Sequence, residues 1–155
     1  MSLTDFIKES NRIEGIVRPI GKIEIEFYER FLALDELTVN DVVDLVKKIC
    51  NAKIRFHSGM NVRVGDHSPP PGGSDIPKRL DDILIKINAD SITPYKAHHL
   101  YETLHPFMDG NGRSGRAIWL WHTAKHHGCG YEDIIRRIGF LHRWYYQSLS
   151  ESQYR

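Results

Sequence analysis

Cysteine is almost absent: Cys50 and Cys129 are the only two, far apart in the chain and in no CxxC pair. That excludes a disulfide-stapled scaffold, and two buried thiols in a reducing cytoplasm are the expectation. Long apolar runs are also missing, since none approaches the roughly 20 residues needed to cross a bilayer. The opening stretch MSLTDFIKES is polar and lacks the apolar region of a secretory signal, so a cytoplasmic location is expected and no membrane association. Neither sign of charge dominates: 21 basic and 20 acidic residues leave a formal net charge of +1. A general electrostatic attraction to nucleic acid is thereby removed, and any anion site must be local. No Walker A loop occurs anywhere.

What is present is helical periodicity. The chain has 155 residues, 41% hydrophobic and 26% charged, which suits one soluble domain over 1–155. Ile23, Phe27, Phe31 and Leu34 fall on one helical face. Thr38 and Asp41 read as a capping pair, followed by Val42, Leu45, Val46 and Ile49. Ile76, Leu80, Ile83, Leu84 and Ile87 make another stripe. Thr93 and Pro94 read as N-cap and first helical residue, with Ala97, Leu100, Tyr101 and Leu104 behind them. Ala117, Leu120, Trp121 and Ala124 continue the pattern, as do Ile134, Ile135 and Ile138, then Leu141, Trp144 and Tyr145. Nearly all are expected to be core. Only residues 60–76 break the rule: alternation at Val62 and Val64 precedes three prolines and two glycines, which predicts a short hairpin or exposed loop. A loop of that length in a helical domain is commonly functional.

Chemistry concentrates in residues 105–116, His-Pro-Phe-Met-Asp-Gly-Asn-Gly-Arg-Ser-Gly-Arg. Helical sequence on both sides makes this a helix–loop–helix with a glycine-rich turn. Gly110 and Gly112 permit positive φ and close backbone approach. A helix beginning near Asn111 to Arg113 aims unpaired N–H groups and its positive dipole end into the turn, an arrangement that binds phosphate. Arg113 and Arg116 share a face and can grip one polyphosphate. Asp109 is a carboxylate suited to Mg²⁺. His105 has the one side chain that titrates near neutrality.

Two other patterns are set aside. Gly110 to Gly115 satisfies GxGxxG, with Glu132 and Asp133 about 20 residues on. A dinucleotide turn follows a strand, however, and Tyr95 to Leu104 has helical periodicity. His98 and His99, then His126, His127 and Cys129, show neither CxxC nor HExxH spacing, and no local pattern assembles four ligands, so no structural zinc is expected.

The segment HPFMDGNGRSGR resembles the signature of Fic-domain proteins, HPFx(D/E)GNGRxxR, with every fixed position matched. The resemblance extends through the helical flanks and the proline-rich loop. It implies an all-α helical bundle with a short β-hairpin flap and, as the family's commonest activity, transfer of AMP from ATP to a protein hydroxyl. By position, His105 would deprotonate the target Ser, Thr or Tyr. Asp109 would hold Mg²⁺ against the α- and β-phosphates. Gly110, Asn111 and Gly112 would form the anion pocket, and Arg113 and Arg116 would hold the β- and γ-phosphates. Phe107 would be a core anchor. The flap at 60–76, with Val62 to Val64 as first strand and Pro69 to Gly73 as turn, would line up an extended segment of the target protein by strand addition.

Near the N-terminus, Phe6, Ile7, Ser10 and Ile13 share a helical face, and Gly15 is placed for a C-terminal cap. Glu14 then sits in the last turn, where an anion gains only from a facing cation. Ser10, Glu14 and Gly15 resemble the inhibitory motif (S/T)xxxE(G/N) of Fic proteins, which makes 1–15 an inhibitory helix. Glu14 is expected to pair with Arg116 in the space of the γ-phosphate. The expected protein is an autoinhibited, Mg²⁺-dependent adenylyltransferase. Removal of AMP, transfer of another nucleotide or phosphate group, and a catalytically silent nucleotide-binding regulatory module remain alternatives. The target protein and any homo-oligomer are left open.

Overall fold

The computed structural model describes residues 2–128 and 130–138. Helix α1 (Leu3–Ile13) begins at a capping box, in which Ser2 and Asp5 exchange side-chain bonds with each other's backbone N–H. It ends at Gly15, where Gly15 N–H donates to Arg12 O and Ile16 N–H to Asn11 O, a Schellman closure. Helix α2 (Lys22–Leu32) follows, and α3 (Val39–Cys50) starts on the predicted Thr38–Asp41 capping box. Helix α4 (Asp75–Asn88) buries Ile76, Leu80, Ile83, Leu84 and Ile87, the complete predicted stripe. Helix α5 (Pro94–Leu104) carries Thr93 as N-cap and Pro94 in its first turn. Helix α6 (Asn111–His127) is the axis of the fold, touched by α1, α2, α3, α5 and α7 (Tyr131–Ile138). Such a position explains its lack of a polar face: every residue from Ala117 to His122 is buried.

The main core joins Tyr28 and Phe31 of α2, Val42, Leu45 and Val46 of α3, the α4 stripe, Tyr101 and Leu104 of α5, and Ala117 and Trp121 of α6. A second cluster gathers Phe6, Trp119, Leu120, Ile134 and Ile135. Helix α1 contributes Ile7 to the first and Phe6 to the second, both fully buried. At about 1.5–3 kcal/mol per buried large side chain, those two residues are the main hold on α1.

Three expectations change. Ile23 is 65% exposed, because α2 turns Tyr28 and Phe31 inward instead and leaves its first turn in solvent. Residues 60–76 form no strand-paired hairpin. Among the described residues this stretch has one isolated bridge, Val64 to His67, with the reversal at Gly65–Asp66 and not at Pro69–Gly73. Polar backbone groups of the loop bond inward to side chains instead of across a ladder, and its last residues enter α4. Cys50 is half-buried, not fully enclosed. Cys129, Leu141, Trp144 and Tyr145 lie outside the described residues. No helix among the described residues is long and apolar enough to cross a membrane.

Candidate active site

The turn between α5 and α6 is shaped by four local devices. His105 is the C-cap of α5 in the left-handed region (φ +48°), and its N–H donates to Tyr101 O at 2.9 Å. Asn111 folds its side chain back on the loop: Phe107 N–H donates to Oδ1 at 2.9 Å, and Nδ2 donates to Phe107 O at 2.8 Å. Phe107 is fully buried and anchors the turn in the core. Gly110 precedes α6 at φ +79°, a conformation a side chain would strain, and offers no side-chain cap. The N–H groups of Asn111, Gly112 and Arg113 therefore open the helix without an intrahelical acceptor.

His105 lines a cleft of about 240 Å³, together with Asp109, Gly110, Asn111 and Gly112. Its Nδ1 lies 2.8 Å from Glu102 O. A carbonyl only accepts, so Nδ1 carries the proton and Nε2 keeps the basic lone pair. Burial pushes the imidazole below its ordinary value, opposed by the Glu102 carbonyl and assisted by the nearby Arg55 and His67. His105 is thus neutral at pH 7, the state a general base requires. The Glu102 carboxyl stands 4.0 Å from Nδ1, and burial pushes it up to about 8.

The far wall of the cleft is Glu14. Its Oε1 accepts from Arg116 Nη2 at 2.7 Å, and the same guanidinium donates to Ser10 Oγ at 2.8 Å and Ser10 O at 2.9 Å. Arg116 is fully buried, whereas Glu14 remains 38% exposed toward the cleft. The carboxylate lies so close to Gly112 that any side chain there would collide with Oε1. A carboxylate thus rests on the helix N-terminus where the sequence suggests phosphate. The expected pairing of Glu14 with Arg116 is present.

Not every sequence-predicted residue reaches the cleft. Arg116 lies behind Glu14. Arg113 is buried, its charge felt by Tyr28 and Cys50, and its Nε has no hydrogen-bond partner among the described residues. Asn111 offers only its backbone, its amide being committed to the loop. Asp109 is exposed and lines the cleft, and its Oδ1 accepts from Gly110 N–H at 2.7 Å. An exposed carboxylate lining an anion site fits Mg²⁺, which takes few protein ligands and keeps its waters.

Arg55 went unnoticed in the sequence. It is fully buried and donates to four carbonyls: His105 O and Leu104 O at 2.7 Å, Pro70 O at 2.7 Å and Met60 O at 3.3 Å. Its own N–H donates to Pro106 O, and its carbonyl accepts from Gly73 N–H. One residue, through side chain and backbone together, therefore ties both ends of the 60–73 loop to the backbone around His105. Its partners are main-chain oxygens, so no residue pattern announces it. Arg63, from the same loop, also lines the cleft. Ser114 is fully buried and bonds Gly110 O at 2.7 Å and the Tyr101 hydroxyl at 2.6 Å, fixing the start of α6.

Comparison with known proteins identifies the family. The Fic/DOC family model matches residues 25–122. The chain belongs to the Fic/DOC family. It is 28% identical over 122 residues to the protein adenylyltransferase Fic of Drosophila willistoni, covering 72% of this chain and 24% of that protein. With the protein adenylyltransferase Fic of Nematostella vectensis it shares 23% identity over 96% of this chain and 35% of that one. The chain therefore spans about a quarter to a third of these relatives. A crystal structure of a Fic family protein from Desulfovibrio desulfuricans G20 superposes with a TM-score of 0.52 at 22% identity, over 81% of this chain and 46% of that one. Fic-1 of C. elegans superposes with a TM-score of 0.50 at 20% identity, over 79% and 46%. At such identity the likeness is one of fold.

Proposed function

We propose that this chain is an autoinhibited protein adenylyltransferase, transferring AMP from ATP to a Ser, Thr or Tyr hydroxyl and releasing pyrophosphate. The observation that carries the reading is the Glu14 carboxylate lying on the α6 N-terminus, against Gly112 and paired to buried Arg116. An anion is already accommodated where a polyphosphate would lie, beside a neutral imidazole whose proton sits on Nδ1.

His105 accepts the hydroxyl proton at Nε2, and the Glu102 carbonyl stabilises the imidazolium that results. The N–H groups of Asn111, Gly112 and Arg113 bind phosphate oxygens, and Arg116 adds charge once Glu14 has left it. Asp109 would hold Mg²⁺, which when bound neutralises phosphate charge and favours departure of pyrophosphate. Positioning and charge neutralisation supply most of the rate, with the base contributing about 10²–10⁴-fold. The 60–73 loop, with Val64 exposed and Met108 exposed across from it, is the proposed docking place for the target.

The test is intact mass after incubation with Mg-ATP and candidate targets. Glu14→Gly is expected to gain one AMP on itself or a target, at a rate well above wild type, and His105→Ala in that background to gain none. Equal silence of wild type and Glu14→Gly with ATP bound would refute the reading.

A further inference from the structure

At the end of the molecule away from the cleft, two histidines and an aspartate converge. Asp90 follows the α4 cap residue Ala89 in the left-handed region, at φ +51°. Aspartate tolerates that conformation better than most residues, and here it turns the carboxylate toward the last turns of α6. Asp90 Oδ1 lies 2.8 Å from His122 Nε2 and 2.9 Å from His127 Nε2. The three ligand-type atoms all fall within 4.8 Å of one another. His122 is fully buried, while the side chains of Asp90 and His127 are 28% and 45% exposed. The cluster thus has a fixed floor and a mouth open to solvent. At 1.5 Å rise per residue, His122 stands about 16 Å along the helix from Asn111, well clear of the candidate active site.

We propose that Asp90, His122 and His127 form a binding site for a divalent transition ion, zinc foremost, with water in the fourth position. The donor set decides the ion. Two imidazole nitrogens and one carboxylate oxygen suit zinc and its transition-metal neighbours, whereas Mg²⁺ and Ca²⁺ take oxygen ligands throughout. Tetrahedral zinc bonds of 2.0–2.1 Å put ligand atoms about 3.3 Å apart. Entry of the ion therefore opens each contact to Oδ1 by about 0.5 Å. His127, the last residue of α6 and half-exposed, can yield that by side-chain rotation.

The protons balance without a co-reactant. As the cluster stands, each Nε2–H donates to Oδ1. The ion takes the two Nε2 lone pairs, and each neutral ring carries its proton on Nδ1 instead. His122 Nδ1 is already buried without a hydrogen-bond partner, so the change turns that one atom from an unpaired acceptor into an unpaired donor and leaves no further ring atom unpaired. The half-exposed His127 ring hands its proton to the solvent side. A bound ion clips the turn after α4 to the end of α6, adding to the Asp90 contacts already there. This site does not depend on the adenylyl-transfer reading.

The experiment uses the full chain without an affinity tag, stripped by chelator and titrated with zinc chloride by calorimetry. One equivalent is expected to bind at micromolar affinity or tighter. At about a hundredfold excess over Kd, Tm should rise by about 5 °C or more. Cobalt(II) should give the visible absorption of a tetrahedral complex. His127→Ala removes an exposed ligand, and Asp90→Asn keeps a residue that tolerates φ +51°; both should fold and weaken zinc by tenfold or more. His126→Ala should bind as wild type does. Failure of the wild-type chain to bind zinc, or undiminished binding by both ligand variants, would overturn the proposal.

Discussion

Stability and inhibition separate at Arg116, and two substitutions in α1 expose the difference. Ser10 is fully buried, and its hydroxyl accepts from Arg116 Nε. Ser10→Ala leaves a buried donor of a charged group unpaired, at a cost of about 1–3 kcal/mol. For a chain of this size, at about 2–4 °C per kcal/mol, that lowers Tm by roughly 2–12 °C. Glu14→Ala removes a carboxylate that is 38% exposed, so water takes its place. Arg116 keeps its bond to the Ser10 carbonyl, and the stability loss stays at about 1 kcal/mol or less after screening. The effect on ligand has the opposite order. A carboxylate some 4 Å from an incoming phosphate opposes it by about 4 kcal/mol at an effective dielectric of 20. Allowing for solvent on the cleft side, at least about 1.4 kcal/mol, or tenfold in ATP affinity, should return when Glu14 is removed. Urea unfolding and calorimetric titration with Mg-ATP measure the two quantities on the same samples. Greater destabilisation by Glu14→Ala than by Ser10→Ala, or ATP affinity indifferent to Glu14, would refute the reasoning.

Arg55→Lys should lower stability by about 3 kcal/mol or more, since one ammonium cannot serve four carbonyls on opposite sides; denaturant midpoints check this. The pH dependence of labelling by Glu14→Gly follows from His105, whose pKa lies below its ordinary 6.5 because it is partly buried. The competent form is neutral, so the rate should be flat above neutrality and fall only as pH drops through that lowered value; a midpoint above 6.5 in a pH–rate profile would contradict the assignment.

The helices were legible from their periods, and most sharply where a punctuation mark accompanies the period. Thr38 with Asp41, and Thr93 with Pro94, fix the starts of α3 and α5, and the α4 stripe lies entirely inside. Ile23 misled because period alone does not say which side of a helix its neighbours occupy. The 105–116 turn was legible since its chemistry is local: glycines, a helix start and ionic side chains within a dozen residues. Arg55 was not, because it acts on main-chain oxygens contributed from distant positions. The alternation of Val62 and Val64 suggested strands, but two alternating residues cannot outweigh a loop whose ends are already bound to a buried guanidinium. The Asp90 cluster escaped for a related reason: His122 and His127 have no ligand spacing between them, and the third partner arrives from the turn after α4.

Arg116 occupies both sides of the proposed switch. The guanidinium that grips Ser10 and Glu14 is the same one that would meet phosphate oxygens after they depart. Mutational histories of such a protein should therefore be lopsided. Hyperactive alleles should collect at the first fifteen positions, where a lost contact merely lifts restraint. Changes at the arginine itself should appear only among inactive alleles, because the restraint and the grip disappear together.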